Sequence, residues 1–152
     1  MLAPLAESGA DGTIGSEMDP ATPVKVLIVD DQAPFRGAAR AVIGVTREFT
    51  VVGEAESGEE ALDLVAELGP DLVLMDINMG GIDGIEATRR ITTRHPDTMV
   101  VLVSTYAASD LAADARSCGA AAYVHKEELA PRVLRDLWAS GGDPLWIRPT
   151  AV

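Results

Sequence analysis

Mainly apolar stretches alternate along the chain with stretches in which apolar residues recur every three or four positions. The longer apolar runs lie at Val24–Val29, 71–75 and 99–103, and shorter ones lie at 51–52 and 121–124. A strand that is apolar at nearly every position is buried on both faces, which is typical of a parallel sheet covered by helices. The pattern therefore predicts five strands in a parallel sheet.

Helical spacing fills the segments between these runs. Apolar residues at positions 61, 64, 65 and 68 follow the spacing of an amphipathic helix, behind a capping box that begins at Ser57. Four further helices are predicted around 35–42, after Asp83, around 111–118 and over 129–137. Asp83 with Glu86 would cap the helix that follows it. Because five strands alternate with five helices, the sequence predicts an α/β fold with a doubly wound sheet and right-handed crossovers.

The two ends of the chain lack such patterns. Residues 1–23 contain acidic residues, prolines and glycines but no lysine or arginine, so this acidic leader is expected to be disordered. The tail, residues 139–152, is also irregular, although it contains the apolar sequence Leu145-Trp146-Ile147. Docking of that sequence on the domain, docking on a partner and disorder all stay open. Residues 24–138 are predicted to form one domain.

Composition narrows the range of functions. The 152 residues include 24 acidic and 12 basic ones, and the formal net charge of −12 disfavours unaided binding to a nucleic-acid backbone. Cys118 is the only cysteine, so no disulfide can form within the chain. No apolar run approaches the roughly 20 residues that span a bilayer, and the N-terminus does not resemble a signal peptide. We therefore expect a cytoplasmic protein that does not contact a membrane.

Polar residues follow four of the predicted strands at the point where each strand ends. In chain order they are Asp30 and Asp31, Asp76, Ser104 and Thr105, and Lys126. Ligands of doubly wound sheets bind at the carboxyl ends of the strands, so these side chains should share one crevice. Three carboxylates need neutralisation, which Lys126 and a divalent ion would supply, and oxygen ligands favour Mg²⁺. Without a Ser/His/Asp or paired Cys/His set, the pattern favours acceptance of a phosphoryl group.

Four motifs contain these residues: VLIVDDQ, LVLMDINMGGIDG, VVLVSTY and GAAAYVHK. In this order they resemble the receiver domain of bacterial two-component response regulators, over residues 24–138. The resemblance implies a flavodoxin-like fold with strand order 2-1-3-4-5. It also implies a signalling protein that takes a phosphoryl group from the phosphohistidine of a sensor histidine kinase, and that catalyses only its own phosphotransfer and dephosphorylation.

The resemblance assigns the phosphoryl chemistry to individual residues. Asp76 would be the phosphoacceptor, and Ser104 and Lys126 would hold phosphoryl oxygens. Thr105 stays an alternative to Ser104, because either hydroxyl follows the fourth strand. Ser104 and Tyr123 would form the switch, since Tyr123 matches the aromatic residue that turns inward when receivers are activated.

The same resemblance implies a Mg²⁺ site. Asp31 would bind the ion directly, Asp30 through water, Asp76 through its carboxylate and Asn78 through its backbone carbonyl. One departure from the family lies beside this site, because Gly80 stands where receivers usually have proline. The resulting loop is expected to be looser, which would alter the rate of phosphorylation or dephosphorylation.

The output is expected to come from a surface that phosphorylation changes. The predicted fourth helix is mostly alanine, so it should be easily shifted. The phosphoryl group would draw Ser104 inward, make room for Tyr123 and change the face formed by the predicted fourth helix, fifth strand and fifth helix. That face would bind an unknown downstream protein or form a homodimer, as the first and fifth helices also could. Because the stretch after Trp138 is too short for a DNA-binding domain, we expect a stand-alone receiver without direct DNA binding.

Two other functions stay open. A receiver-like module that docks partners without phosphorylation would keep the fold, although the intact acid pair, acceptor and lysine count against it. A Mg²⁺-dependent phosphatase with an aspartate nucleophile, of the haloacid dehalogenase kind, uses a similar set of residues. Such enzymes have the motif DxDxT after the first strand, however, and here that position is occupied by Asp30, Asp31 and Gln32.

Overall fold

Five parallel strands form a single sheet in this computed structural model, which describes residues 22–107, 110–111 and 113–147. The strands are β1 (Val24–Val29), β2 (Phe49–Ala55), β3 (Leu72–Asp76), β4 (Met99–Ser104) and β5 (Ala122–His125). Their order across the sheet is β2-β1-β3-β4-β5, which confirms the predicted order 2-1-3-4-5. The expectation of a disordered leader falls, apart from residues 22 and 23, outside the described residues, as does the end of the tail.

Helices connect the strands and follow the last one. They are α1 (Ala33–Gly44), α2 (Gly58–Leu68), α3 (Gly84–Arg94), α4 (Pro131–Ser140) and the single turn α5 (Pro144–Ile147). The first four correspond to the predicted first, second, third and fifth helices. Within the described part of the chain, no helix is long and apolar enough to cross a membrane.

The prediction of a fourth α-helix around residues 111–118 is wrong for the part of this range that the structure describes. Ala113–Ser117 forms a short 3₁₀ helix instead, with Ala115 as its buried residue. Alanine side chains bury little area, and short segments gain few of the i→i−4 hydrogen bonds that offset helix nucleation. Residues 113–117 therefore form a short 3₁₀ helix where the spacing predicted an α-helix.

Side-chain caps start the two helices for which the sequence indicates them. The Ser57 hydroxyl accepts a hydrogen bond from the Glu60 N–H at 3.0 Å, which places the start of α2 directly after β2. The Asp83 carboxylate accepts one from the Glu86 N–H at 2.9 Å at the start of α3. Both predicted caps are confirmed, and each satisfies a backbone donor that the helix itself leaves unpaired.

Apolar side chains fill both sides of the sheet. One core contains Leu27, Met75 and Leu102 from the strands together with residues of α2 and α3. The other contains alternate strand residues such as Ile28 and Leu74, together with residues of α1 and α4. Helices thus cover both faces, which is the doubly wound arrangement, and the carboxyl edge of the sheet is left for polar groups.

The apolar sequence in the tail docks on the domain, which was one of the three outcomes left open. Trp146 lies in α5, is only 4% exposed and belongs to the core on the α2 and α3 side.

Candidate functional site

The carboxyl edge of the sheet brings the predicted site residues together. Asp76 ends β3, Ser104 ends β4, and Lys126 directly follows β5. All three line one cleft of about 500 Å³, together with Asp31 and Asn78. Because neighbouring strands are parallel and in contact, residues far apart in sequence reach the same crevice.

Three carboxylates meet at this edge of the sheet. One ligand oxygen from each of Asp30, Asp31 and Asp76 lies within 4.8 Å of the others. Asp30 is fully buried, Asp76 is 3% exposed, and Asp31 is exposed. The three therefore offer oxygen ligands to a cation from two sheltered positions and one open position, a donor set that fits Mg²⁺.

Lys126 is the cation that already balances part of this charge. Its Nζ lies 2.7 Å from Oδ2 of Asp30 and 3.4 Å from Oδ1 of Asp76. The short contact to Asp30 is an ion pair without hydrogen-bond alignment, while Oδ1 of Asp30 accepts the N–H of Gln32 at 2.8 Å. One ammonium among three carboxylates leaves a net negative charge, which favours a divalent cation.

Asp76 has an unusual acidity. Burial, followed by the neighbouring Asp30 carboxylate, raises the pKa of the Asp76 carboxyl to about 6. The Lys126 ammonium and a hydrogen bond from the backbone of Asn78 act in the opposite direction. The carboxylate is thus mainly ionised at neutral pH, as a nucleophile must be, in surroundings that favour added positive charge.

The hydroxyl expected at the end of β4 is in place. Ser104 is buried and lines the cleft, and its Oγ accepts a hydrogen bond from the Tyr106 N–H at 3.1 Å. Thr105 also lines the cleft but is exposed. The two candidate hydroxyl residues therefore share the cleft but differ in burial.

Tyr123 is linked to the same loop. Its hydroxyl donates to the carbonyl oxygen of Ser104 at 3.1 Å and also to the carbonyl oxygen of Tyr106. Burial raises the pKa of the Tyr123 phenol, so it stays protonated and able to donate. The structure therefore connects the predicted switch pair through hydrogen bonds, although Tyr123 itself does not line the cleft.

A family model described as "Response regulator receiver domain" matches residues 26–137, and these include every residue of the site described above. The chain belongs to this family. Membership makes it a receiver domain of two-component response regulators, a class of signalling protein, and confirms the resemblance seen in the sequence. An acidic pocket such as the one formed by Asp30, Asp31 and Asp76 is where receiver domains bind Mg²⁺.

Curated relatives of this receiver domain include longer regulators. "Response regulator GacA" of Pseudomonas syringae pv. syringae (strain B728a) is 42% identical over 103 residues, covering 68% of this chain and 48% of that protein. "Transcriptional regulatory protein DegU" of Brevibacillus brevis is 36% identical over 104 residues, covering 68% of this chain and 44% of that protein. The chain thus spans about half the length of these relatives.

Solved structures share the fold of this receiver domain over most of its length. The response regulator domain of Thermotoga maritima CheB is 32% identical with a TM-score of 0.70, covering 80% of this chain and 99% of that one. The signal receiver domain of the putative response regulator NarL from Mycobacterium tuberculosis is 28% identical with a TM-score of 0.71, at the same coverage.

Sequence reasoning missed the residue that fixes the end of β1 in this receiver domain. Arg36, in the first turns of α1, donates to the carbonyl oxygen of Asp30 at 2.7 Å. The same guanidinium pairs with Glu54 at 3.3 Å and Glu56 at 3.5 Å. These glutamates hold Arg36 against the acidic site. The available signal was an arginine shortly after Asp30 and Asp31. The glutamates that pair with it, however, lie farther along the chain, at the end of β2.

A second missed residue is the phenylalanine over the site lysine. The Lys126 ammonium lies 4.6 Å from the centroid of the Phe35 ring, and Phe35 also lines the cleft. Such an arrangement attracts a cation to the face of the ring. It holds Lys126, which is only 14% exposed, between the carboxylates and the aromatic wall.

We expect a double-mutant cycle to detect this contact. Phe35→Leu and Lys126→Met should each change the free energy of unfolding, and the double variant should reveal a coupling of about 1 kcal/mol. Urea unfolding of the four proteins measures it. The matched control is Phe49→Leu, since Phe49 is buried in the core on the α1 and α4 side. Its effect on the free energy of unfolding should add to that of Lys126→Met. If the effects of Phe35→Leu and Lys126→Met were additive as well, the expected contact would be contradicted.

Proposed function

We propose that this receiver domain is a Mg²⁺-dependent phosphoacceptor, with Asp76 taking a phosphoryl group from the phosphohistidine of a sensor histidine kinase. The observation that carries the proposal is the placement of the nearly buried Asp76 carboxylate against Lys126, in an open cleft that it shares with Asp31 and Ser104. A cytoplasmic location is part of the proposal.

The transfer requires a nucleophile and groups that hold the phosphoryl oxygens. An Asp76 carboxylate oxygen forms the new P–O bond, while the N–P bond of the phosphohistidine breaks and its electron pair returns to the imidazole. Lys126, 3.4 Å from Oδ1 of Asp76, is placed to pair with a phosphoryl oxygen. The Ser104 hydroxyl donates to another, which stabilises the charge that spreads over these oxygens.

The metal site of the proposal consists of Asp31, Asp30 and Asp76, with the backbone carbonyl of Asn78. The close approach of three carboxylate oxygens and the net negative charge support this assignment. A bound Mg²⁺ would neutralise carboxylate and phosphoryl charge. Asp31, as the exposed member, is the one that a cation entering from solvent meets first.

The proposed output is a change in a surface that we call the switch face, formed by Ala113–Ser117, β5 and α4. Ser104 and Tyr123 connect the acceptor site with this face through the hydrogen bonds to the carbonyl oxygens of Ser104 and Tyr106. An unidentified downstream protein would bind there, and a homodimer through this face or through α1 and α4 belongs to the same proposal.

The decisive experiment is phosphorylation by a small donor. We expect incubation with Mg²⁺ and acetyl phosphate to add the mass of one phosphoryl group, and expect Asp76→Asn and chelation of Mg²⁺ each to abolish the gain. The matched control is Asp83→Asn, because Asp83 is exposed on the loop after β3 and asparagine preserves its helix cap.

Other outcomes identify the alternatives. Absence of any gain in the parent protein, together with partner binding that persists in Asp76→Asn, would indicate a docking module that does not use phosphorylation. Continuous turnover of a phosphate monoester such as p-nitrophenyl phosphate, lost in Asp76→Asn, would indicate a phosphatase. Either result overturns the proposal.

A further inference from the structure

The chain turns back onto the sheet directly after α4. Gly141 ends this helix with a φ of 80°, and Gly142 follows with a φ of 127°. A Cβ on Gly142 would lie 2.7 Å from the carbonyl oxygen of Ala121, and the N–H of Asp143 donates to that same oxygen at 3.0 Å. Only glycine allows this close crossing, so the sequence after α4 is adapted to bring residues 143–147 against the start of β5.

This return places Trp146 on the switch face. The indole lies between Tyr123 of β5, at 6.0 Å between ring centroids, and Arg116 of the 3₁₀ helix, whose guanidinium is 4.7 Å from the centroid. Arg116 also donates to the carbonyl oxygen of Trp146 at 3.2 Å. Cation–π, aromatic and hydrogen-bonding contacts thus converge on one residue of the tail.

The indole N–H of Trp146 weakens its docking at this position, which we call the Trp146 seat. It is buried, and among the described residues it finds no hydrogen-bond acceptor. A buried donor without a partner disfavours the docked state relative to one in which water reaches the indole. The contacts of Trp146 therefore stabilise the docked segment, but the unpaired indole N–H makes docking weaker than the burial of Trp146 alone would suggest.

Tyr123 belongs both to this seat and to the acceptor site. Its ring faces Trp146, while its hydroxyl donates to the carbonyl oxygens of Ser104 and Tyr106. The Ser104 hydroxyl in turn accepts the N–H of Tyr106. A Ser104 hydroxyl drawn toward a phosphoryl group on Asp76 moves the two carbonyl oxygens that fix Tyr123, and thereby one wall of the Trp146 seat.

We propose that residues 143–147 form an intramolecular cover of the switch face, and that docking of Trp146 and phosphorylation of Asp76 oppose each other. The inference rests on the proposed function and extends it. In the unphosphorylated protein Trp146 occupies the surface beside Tyr123 and blocks a partner. Phosphorylation shifts the 104–106 loop, Tyr123 leaves its acceptors, and Trp146 is released. Because such coupling is reciprocal, removal of the indole must strengthen binding of a phosphoryl analogue.

Two single-tryptophan proteins test the release. Trp138→Phe leaves Trp146 as the only tryptophan, and Trp146→Phe leaves Trp138, which packs on the opposite core. Beryllofluoride, added together with Mg²⁺, mimics the phosphoryl group, and fluorine NMR reports its binding independently. We expect loading to move Trp146 emission to longer wavelength and to increase its quenching by acrylamide, with a smaller response from Trp138.

The outcomes separate this proposal from the proposed function. Bound beryllofluoride with unchanged Trp146 emission overturns the opposition but leaves the phosphoacceptor intact. Failure of beryllofluoride to bind at all overturns both. Trp146→Ala should raise the apparent affinity for beryllofluoride about fivefold, and an unchanged or lower affinity contradicts the proposal.

Tyr123→Phe tests the route of the coupling. Phenylalanine keeps the ring beside Trp146 but removes the hydroxyl that donates to the carbonyl oxygens of Ser104 and Tyr106. Combined with Trp138→Phe, this variant should show the docked emission of Trp146 before loading and a much smaller change after it. A full response in the variant would overturn Tyr123 as the link.

Discussion

Replacement of Gly84 by alanine is expected to lower the free energy of unfolding by about 3 kcal/mol and the melting temperature by about 10 °C. Gly84 begins α3, and its N–H donates to the carbonyl oxygen of Ile77 at 2.9 Å. A Cβ at this position would lie only 2.0 Å from the carbonyl oxygen of Asp76, a backbone atom that no rotamer change can move aside. Either α3 or the end of β3 must shift, and the second shift displaces Asp76, the proposed phosphoacceptor.

Gly80 provides the matched control, on the same loop after β3. A Cβ there meets nothing within 4 Å, and its φ is not in the left-handed region. Gly80→Ala should therefore leave stability unchanged or raise it by up to about 1 kcal/mol through a less flexible unfolded chain. Thermal and urea unfolding of both variants make the comparison. Equal stability of Gly84→Ala and Gly80→Ala would contradict the close approach of α3 to Asp76.

The residues of the acidic site could be predicted because their positions follow from strand ends. Buried parallel strands are visible in the sequence as mainly apolar runs. A charged residue directly after such a run must lie at the carboxyl edge of the sheet. Asp30, Asp76 and Lys126 each occupy such a position, so the fold alone brings them together. This reasoning does not by itself give the order of the strands in the sheet, which was predicted from the family resemblance.

Contacts between elements were beyond the reach of sequence patterns. The role of Gly84 depends on how closely α3 approaches β3, and that of Arg36 depends on the side chains that end β2. The docking of Trp146 depends on a tail that turns back across β5, for which the two consecutive glycines were the only local signal. The 3₁₀ helix at Ala113–Ser117 was mistaken for an α-helix because alanine spacing reports propensity without tertiary support.

Asp76→Asn is expected to stabilise the metal-free protein at neutral and alkaline pH, by roughly 3 kcal/mol. Burial, and then Asp30, raise the pKa of Asp76 to about 6. The unfolded chain has the ordinary carboxyl pKa, so between the two values the folded protein binds more protons than the unfolded one. Stability is therefore lost as the pH rises from about 4 to 6, and above that range the full cost of ionised Asp76 remains. Asparagine has the same shape and carries no charge.

Urea unfolding with a chelator present, at pH 4.5 and pH 8, measures this effect. The advantage of Asp76→Asn should be large at pH 8 and small at pH 4.5, where the parent carboxyl is already protonated when folded. Asp136→Asn, on the exposed side of α4, should change stability by less than about 0.5 kcal/mol at either pH. Added Mg²⁺ should stabilise the parent more than Asp76→Asn, because the variant lacks one of the three carboxylates. A variant that is less stable than the parent at pH 8, or an advantage equal at both pH values, would contradict the raised pKa of Asp76. It would also contradict the view that the ionised Asp76 carboxylate destabilises the folded protein until a cation binds.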